Sequence, residues 1–390
     1  MSKLKDNMVV KLLVAIVIGI ILGSIVGEGA IGILMTIKYI AGQFIFFCVP
    51  LVIVGTIASS ITNLKSNASK MLGAALIIAY LSSVGAALMS MLAGYALIPN
   101  LNIPDTAEGL RELPALLFQL DIPPVMSVIS ALVLAIVLGL TCIWTKSENF
   151  ERILHEFNDM IIQAVEKMLI PVLPIFILTT FSGLAYEGGI TKQFPVFLKV
   201  IVIVIIMHFI WMAVLYAIAG AISKKNPVEV FKHYGPAYLT ALGTMSSAAT
   251  LAVALKCAHK SSVLDKEIVD FAIPIGSTIH LCGSVLTETF FVMTISQILY
   301  GSMPSFGTML LFIILLGIFA VGAPGVPGGT VMASLGIVVS ILLFDDAGVA
   351  LLMSIFALQD SFGTACNITG DGAIALMLTG LFKKDKRAII

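Results

Sequence analysis

The chain has 390 residues, of which 59% are hydrophobic and 11% charged, with a mean hydropathy of +1.09 and a formal net charge of +0. A soluble domain carries about a quarter charged residues, so this composition excludes a soluble enzyme and leaves no basic surface for nucleic acid. It predicts an all-α polytopic protein of the lipid bilayer.

Apolar stretches of about 20 residues, each long enough to cross a bilayer, place spans at roughly 8–27, 34–62, 70–98, 124–145, 163–186, 196–222, 267–299 and 346–381. The basic start "MSKLKDNMVVK" has the character of a signal peptide, but no small-residue cleavage site follows, so a retained first helix is expected. Lys3, Lys5 and Lys11 precede the first span. "KSNASK" follows the second, Lys146 and Arg152 the fourth, Lys224 and Lys225 the sixth, and "KKDKR" the last. The segment between the third and fourth spans carries Asp105, Glu108, Glu112 and Asp121 against Arg111. Basic loops stay in the cytoplasm, which predicts cytoplasmic termini and, with such compact loops, a bacterial inner membrane. The five cysteines (48, 142, 257, 282, 366) show no CxxC or Cys/His spacing, so they read as small core residues without a disulfide or zinc site.

Two apolar segments break in the middle. Residues 227–262 break at "GTMSSAAT" (243–250) and residues 305–343 at "VGAPGVPGGT" (321–330). Lipid cannot satisfy the freed backbone groups, so such breaks persist only inside protein or beside a water-filled cavity. The flanking charges bring the first segment in and out on the cytoplasmic side, and the span count puts the second outside. The sequence thus predicts two re-entrant hairpins of opposite entry, an inverted repeat whose tips mark a mid-membrane binding site.

Within the last span, Asp360, Thr364, Asn367 and Asp371 stand at i, i+4, i+7 and i+11, one narrow stripe of a helix among apolar neighbours. Intramembrane charges are costly and face a cavity or a partner. A polar seam between helices would explain Thr364 or Asn367, but two aspartates on one stripe favour a site. The two carboxylates are about 16 Å apart along a helix, too far for a catalytic dyad. No Ser/His/Asp or Cys/His set and no phosphate-cradling motif is present, so no enzyme is expected. A channel would need a continuous polar path, whereas polarity concentrates at the two tips. A receptor reading predicts an appended soluble domain, which we do not expect.

Taken together, "MSSAAT", "GSTIHLCGS", "GAPGVPGG" and "QDSFGTACNITGD", in this order along essentially the whole chain, resemble the glutamate transporter homologue family of dicarboxylate/amino acid:cation symporters. The resemblance implies eight spanning helices, two re-entrant hairpins and a homotrimer. It implies a scaffold (residues 1–62 and 99–195) holding a transport domain (63–98 and 196–390) that moves as an elevator. It also implies that Asp360 binds a substrate ammonium, with Thr364, Asn367 and the backbone around Ser247 near the α-carboxylate. Ser246, Ser284, Val326, Pro327, Gly328 and Gly363 then complete the substrate site. Asp371, Asn367, Gly276 and the carbonyls around Thr278 match two sodium sites.

The chain departs from the family pattern in three places. Acidic-substrate members carry an arginine where Gly363 stands here, and Met245 replaces the tip arginine of some members. That predicts a neutral amino acid, as in the serine/threonine branch. The Asn-Met-Asp of the seventh span is here His280-Leu281-Cys282, which removes a third sodium site and leaves Tyr80 and Ser83 as remnants. His280 reads as a neutral core hydrogen-bonder. Glu288 matches the proton-carrying glutamate of eukaryotic members, and reads equally as a protonated structural hydrogen-bonder. Sodium is the expected coupling ion, with the proton as the alternative, and no cofactor is expected.

Overall fold

The computed structural model describes residues 8–62, 69–101, 112–323, 325 and 327–382. The charged segments 1–7, 63–68, 102–111 and 383–390, on which much of the expected orientation rests, lie outside the described residues, as do Pro324 and Val326 of the second tip. All regular structure among the described residues is helical. Six stretches are long and apolar enough to cross a membrane: Glu28–Ser59, Lys70–Leu101, Glu148–Glu187, Val196–Ser223, Lys266–Tyr300 and Asp346–Phe382.

The first half forms one packed group. Helices α1 (Met8–Ile25), α2 (Glu28–Thr62), α4 (Val128–Thr145), α5 (Glu148–Ala164) and α6 (Ile170–Glu187) pack on one another, with α1 against α6 and α4 against α2. Gly19 and Gly23 of α1 make this possible, because an added Cβ at either would run into the α6 backbone at Leu178 or Ser182. Ser127 starts α4 by accepting from Ser130 N–H, and Ser147 starts α5 by accepting from Phe150 N–H.

One boundary differs from the sequence reading. The fifth span was expected at 163–186, but helix begins at Glu148 and continues through a π-helical turn at Val165–Leu169 into α6. Glu148, Glu151, Arg152, Glu156 and Asp159 give α5 the charge of a loop. Its apolar face nevertheless packs on α2, where His155 Nδ1 lies 2.7 Å from Ser59 Oγ.

The other group surrounds α15 (Asp346–Phe382), a helix of 37 residues in which nearly every side chain from Gly348 to Thr379 is buried. At 1.5 Å per residue it is about 55 Å long. Around it pack α3 (Ser69–Leu97), α7 (Gly189–Ser223), the short α8 (Pro227–Phe231) and two helix pairs. One pair is α9 (Gly235–Thr244) with α10 (Ser247–His259), and the other is α13 (Phe306–Gly322) with α14 (Gly329–Ile341). These are the two segments the sequence predicts to be broken, and each breaks where glycine, proline and serine cluster.

The seventh span is a second correction. Read as one helix over 267–299, it is two helices, α11 (Lys266–Ile279) and α12 (Cys282–Tyr300), with extended backbone at His280. There Asn367 of α15 accepts from the Gly283 and Ser284 N–H groups.

The base of the first pair is tied by Glu229 of α8. Its carboxylate accepts from the Ser261 hydroxyl, from Ser262 N–H at 3.3 Å and from His233 Nε2 at 3.3 Å, with Lys232 Nζ at 3.7 Å. Glu229 lies between the candidate spans. Burial alone raises its carboxyl, but these donors and Lys232 outweigh that effect and hold it at about 2. A depressed folded pKa contributes stability above the unfolded value near 4.5, which is lost as pH falls toward 2. In detergent, Glu229→Gln should lower the apparent unfolding midpoint at pH 7 by about 2 °C. The gap to wild type should stay constant above about pH 5 and close below it. A gap independent of pH down to 3 would contradict this role.

Candidate functional site

The two tips meet. Met245 ends α9 in the left-handed region at φ 53°, which turns the chain so that Ser246 caps α10. Ser246 Oγ donates to the Gly325 carbonyl of the second tip at 2.8 Å, and Ala248 N–H lies 3.5 Å from the same oxygen. Gly328, at φ 72°, begins α14 without a side-chain cap of its own. Only glycine adopts that conformation at little cost.

The missing cap comes from α15. Asp360 Oδ2 accepts from Gly328 N–H at 2.7 Å, with Asp360 buried to 4% exposure. The same happens at α12, whose N-cap position, Leu281, has no side-chain acceptor. Asn367 Oδ1 accepts from Gly283 N–H at 2.7 Å and Ser284 N–H at 3.2 Å, and Asn367 Nδ2 donates to Ser284 Oγ at 2.9 Å. Asn367 thereby keeps one amide hydrogen for a further partner.

A small cavity lies under the tips. Its walls are Asp360, Thr364 and Asn367 from α15, Met245, Ser247 and Gly325 from the tips, and Leu281, Ser284 and Thr330 from the starts of α12 and α14. First-turn residues of three helices, α10, α12 and α14, therefore face one small space. Helix N-termini attract anions, and the carboxylate of Asp360 attracts a cation. Among the described residues, no Lys, Arg or His lines it.

The structure thus brings Ser247, Ser284, Asp360, Thr364 and Asn367 together. Ser246 and Gly328 stand beside the cavity through their bonds to Gly325 and Asp360. Pro327 adjoins Gly328 in the turn, and Val326 lies outside the described residues. Gly363 packs on α12, where an added Cβ would stand 3.3 Å from the Ser284 backbone. Sequence reasoning missed Thr330, which directly follows the tip glycines in the first turn of a helix, the position most often turned toward a bound anion.

Asp371 sits eleven residues, about three turns, beyond Asp360 along α15. His280 Nδ1 lies 3.0 Å from its Oδ1, while its Oδ2 is buried without a hydrogen-bond partner. Gly276 of α11 is packed against the carboxylate, 2.8 Å from Oδ1 to where a Cβ would be. A buried, half-satisfied carboxylate fits a cation of single charge. The Thr278 side chain is exposed and its hydroxyl donates back to the Ile275 carbonyl at 2.7 Å, while the expectation concerns the backbone carbonyls around it. The remnants separate too: Tyr80 OH lies 3.4 Å from the Ile314 carbonyl, and Ser83 Oγ is buried without a partner. Ser82, which sequence reasoning passed over, reaches His280 Nε2 at 2.9 Å. Glu288 of α12 is fully buried and accepts from the Ser334 hydroxyl of α14 through Oε1, while Oε2 has no partner.

Comparison with known proteins agrees with this architecture. Excitatory amino acid transporter 1 of Ambystoma tigrinum is 28% identical over 225 residues, 56% of this chain and 41% of its own length. The human protein of the same name is 27% identical over the same shares. Excitatory amino acid transporter 3 of Bos taurus is 28% identical over 261 residues, 66% of this chain and 48% of its own. The matches thus cover less than half the length of these relatives. The model of the sodium:dicarboxylate symporter family matches residues 8–381, and the chain belongs to that family.

Proposed function

We propose that the protein is a secondary active symporter that carries a neutral L-amino acid across a cell membrane. The observation that supports this most is the cavity itself, where one buried carboxylate and three helix starts face each other with no cationic side chain among the lining residues. Asp360 takes the ammonium; the starts of α10, α12 and α14, with the free hydrogen of Asn367, take the α-carboxylate. A substrate with a second carboxylate would bury an anion without a partner, which costs several kcal/mol. The family description and the names of the relatives favour the second reading, an acidic amino acid or dicarboxylate. Calorimetry with purified protein and a panel of neutral and acidic amino acids separates the two. Asp360→Asn should weaken neutral amino acid binding at least about 30-fold, the cost of leaving a buried charge unpaired. Preference for L-aspartate over every neutral amino acid would overturn the assignment.

We infer sodium as the coupling ion, held by Asp371. The partnerless Oδ2 and the family description support it. Glu288, with its own partnerless oxygen, carries the proton alternative. Sodium should raise substrate affinity, and substrate should raise sodium affinity by the same factor. Asp371→Asn should remove that coupling while leaving Asp360 in place. Affinity that ignores sodium, together with pH-driven uptake lost in Glu288→Gln, would transfer the role to Glu288.

The elevator reading, with eight spanning helices, two re-entrant hairpins and a homotrimer built on the first packed group, rests on the family and is supported by the division of the helices into two groups. On it, the α13–α14 tip is the outer gate. Cross-linking Ser246→Cys to Gly325→Cys in a cysteine-free background should arrest uptake, and reduction should restore it. Full exchange in the cross-linked protein would refute the gate.

A further inference from the structure

We propose that His280 is a positioning residue for the ion-binding carboxylate: with Ser82 it fixes Asp371 so that one oxygen is committed and the other is presented to the cation. This rests on the reading that Asp371 takes the coupling ion.

The three side chains form a line across three elements, Ser82 on α3, His280 in the break between α11 and α12, and Asp371 on α15. Their exposures are 5%, 1% and 0%. His280 Nε2 lies 2.9 Å from Ser82 Oγ, and His280 Nδ1 lies 3.0 Å from Asp371 Oδ1. A neutral imidazole has one donor and one acceptor. The acceptor-only carboxylate requires the proton on Nδ1, and the Ser82 hydroxyl then donates to Nε2. Each polar atom in the line except Asp371 Oδ2 is thereby satisfied. That oxygen is buried without a partner, a costly state unless a ligand completes it.

The backbone explains why histidine can reach this place. His280 leaves the helical path at φ −112°, ψ 99°, while its own N–H still closes the last turn of α11 on the Gly276 carbonyl at 2.9 Å. Gly370, one residue before Asp371, lets the ring approach: a Cβ there would stand 2.8 Å from His280 Cε1. Groups that orient a metal ligand through hydrogen bonds typically change affinity by about 10–100-fold when removed.

The alternative is that His280 only ties α3 to α15. Two substitutions separate the roles. An asparagine amide places its N–H about where Nδ1 stands and keeps the bond to Asp371, whereas a glutamine amide reaches the Nε2 position and keeps the bond to Ser82. The readout is the sodium concentration giving half-maximal thermal stabilisation of the purified full-length protein, with potassium holding ionic strength constant. We expect His280→Gln to raise that concentration at least about 10-fold and His280→Asn to stay within about 3-fold of wild type. Ser82→Ala keeps the imidazole but frees its tautomer, and should fall between them; it supplies the test where His280→Gln does not fold. Equal shifts in the asparagine and glutamine variants, or a wild-type midpoint in Ser82→Ala, would overturn the proposal. In that case a sodium response abolished by Asp371→Asn would still uphold the ion site. A wild-type protein that sodium does not stabilise would remove both.

Discussion

Helix N-termini at membrane depth leave backbone N–H groups that neither lipid nor bulk water can satisfy. This chain creates three such starts close together, at Ser247, Cys282 and Gly329. Ser246 caps α10 locally, but α12 and α14 have no cap in their own sequence. Both borrow one from α15, through Asn367 and Asp360. The polar stripe in an otherwise apolar helix is therefore first a structural necessity. Each buried donor left without its acceptor would cost about 1–3 kcal/mol, and the tips could not hold their positions.

In the proposed symporter the same atoms would then serve the substrate. A carboxylate that caps one N–H still has lone pairs for an ammonium, and a carboxamide that caps two N–H groups still has a hydrogen for a carboxylate. Because Asp360 bonds to the tip at Gly328, substrate arrival and tip position act on one oxygen pair. The tip glycines keep the energetic cost of moving that segment low. On the proposed function, a gate that closes on its own substrate would follow from this shared carboxylate.

Much of this arrangement was legible in the sequence. The stripe of Asp360, Thr364, Asn367 and Asp371 falls out of helical spacing, and the Gly/Ser/Pro clusters locate both tips. The interruption at His280–Leu281 was not read as a break: the two positions hold neither glycine nor proline, and the Gly276, Ser277, Gly283 and Ser284 that flank it were counted within a continuous span. Its cause is tertiary: Asn367 replaces the backbone acceptors from a helix more than 80 positions away. Helix α5 was hidden for the opposite reason, since its charges resemble a loop and only the face against α2 declares it. Ser82 carried no signal at all, because a lone serine in an apolar helix usually bonds back to its own backbone.

In the proposed symporter, communication between the ion and substrate sites would run through the interruption. Asp360 and Asp371 are eleven positions apart on one continuous, buried helix. The break between α11 and α12 touches both ends of the problem. His280 contacts Asp371, and three residues later Gly283 contacts Asn367. Between them Leu281 lines the substrate cavity. A cation that draws the Asp371 carboxylate toward itself pulls on His280, and with it on the backbone that presents Gly283 and Ser284. Non-helical backbone can absorb such a shift by rotating a few dihedrals, whereas an intact helix would have to move as a rod. The unwound residues that deprive this span of its hydrogen bonds are thus the ones able to make the occupancy of one site felt at the other.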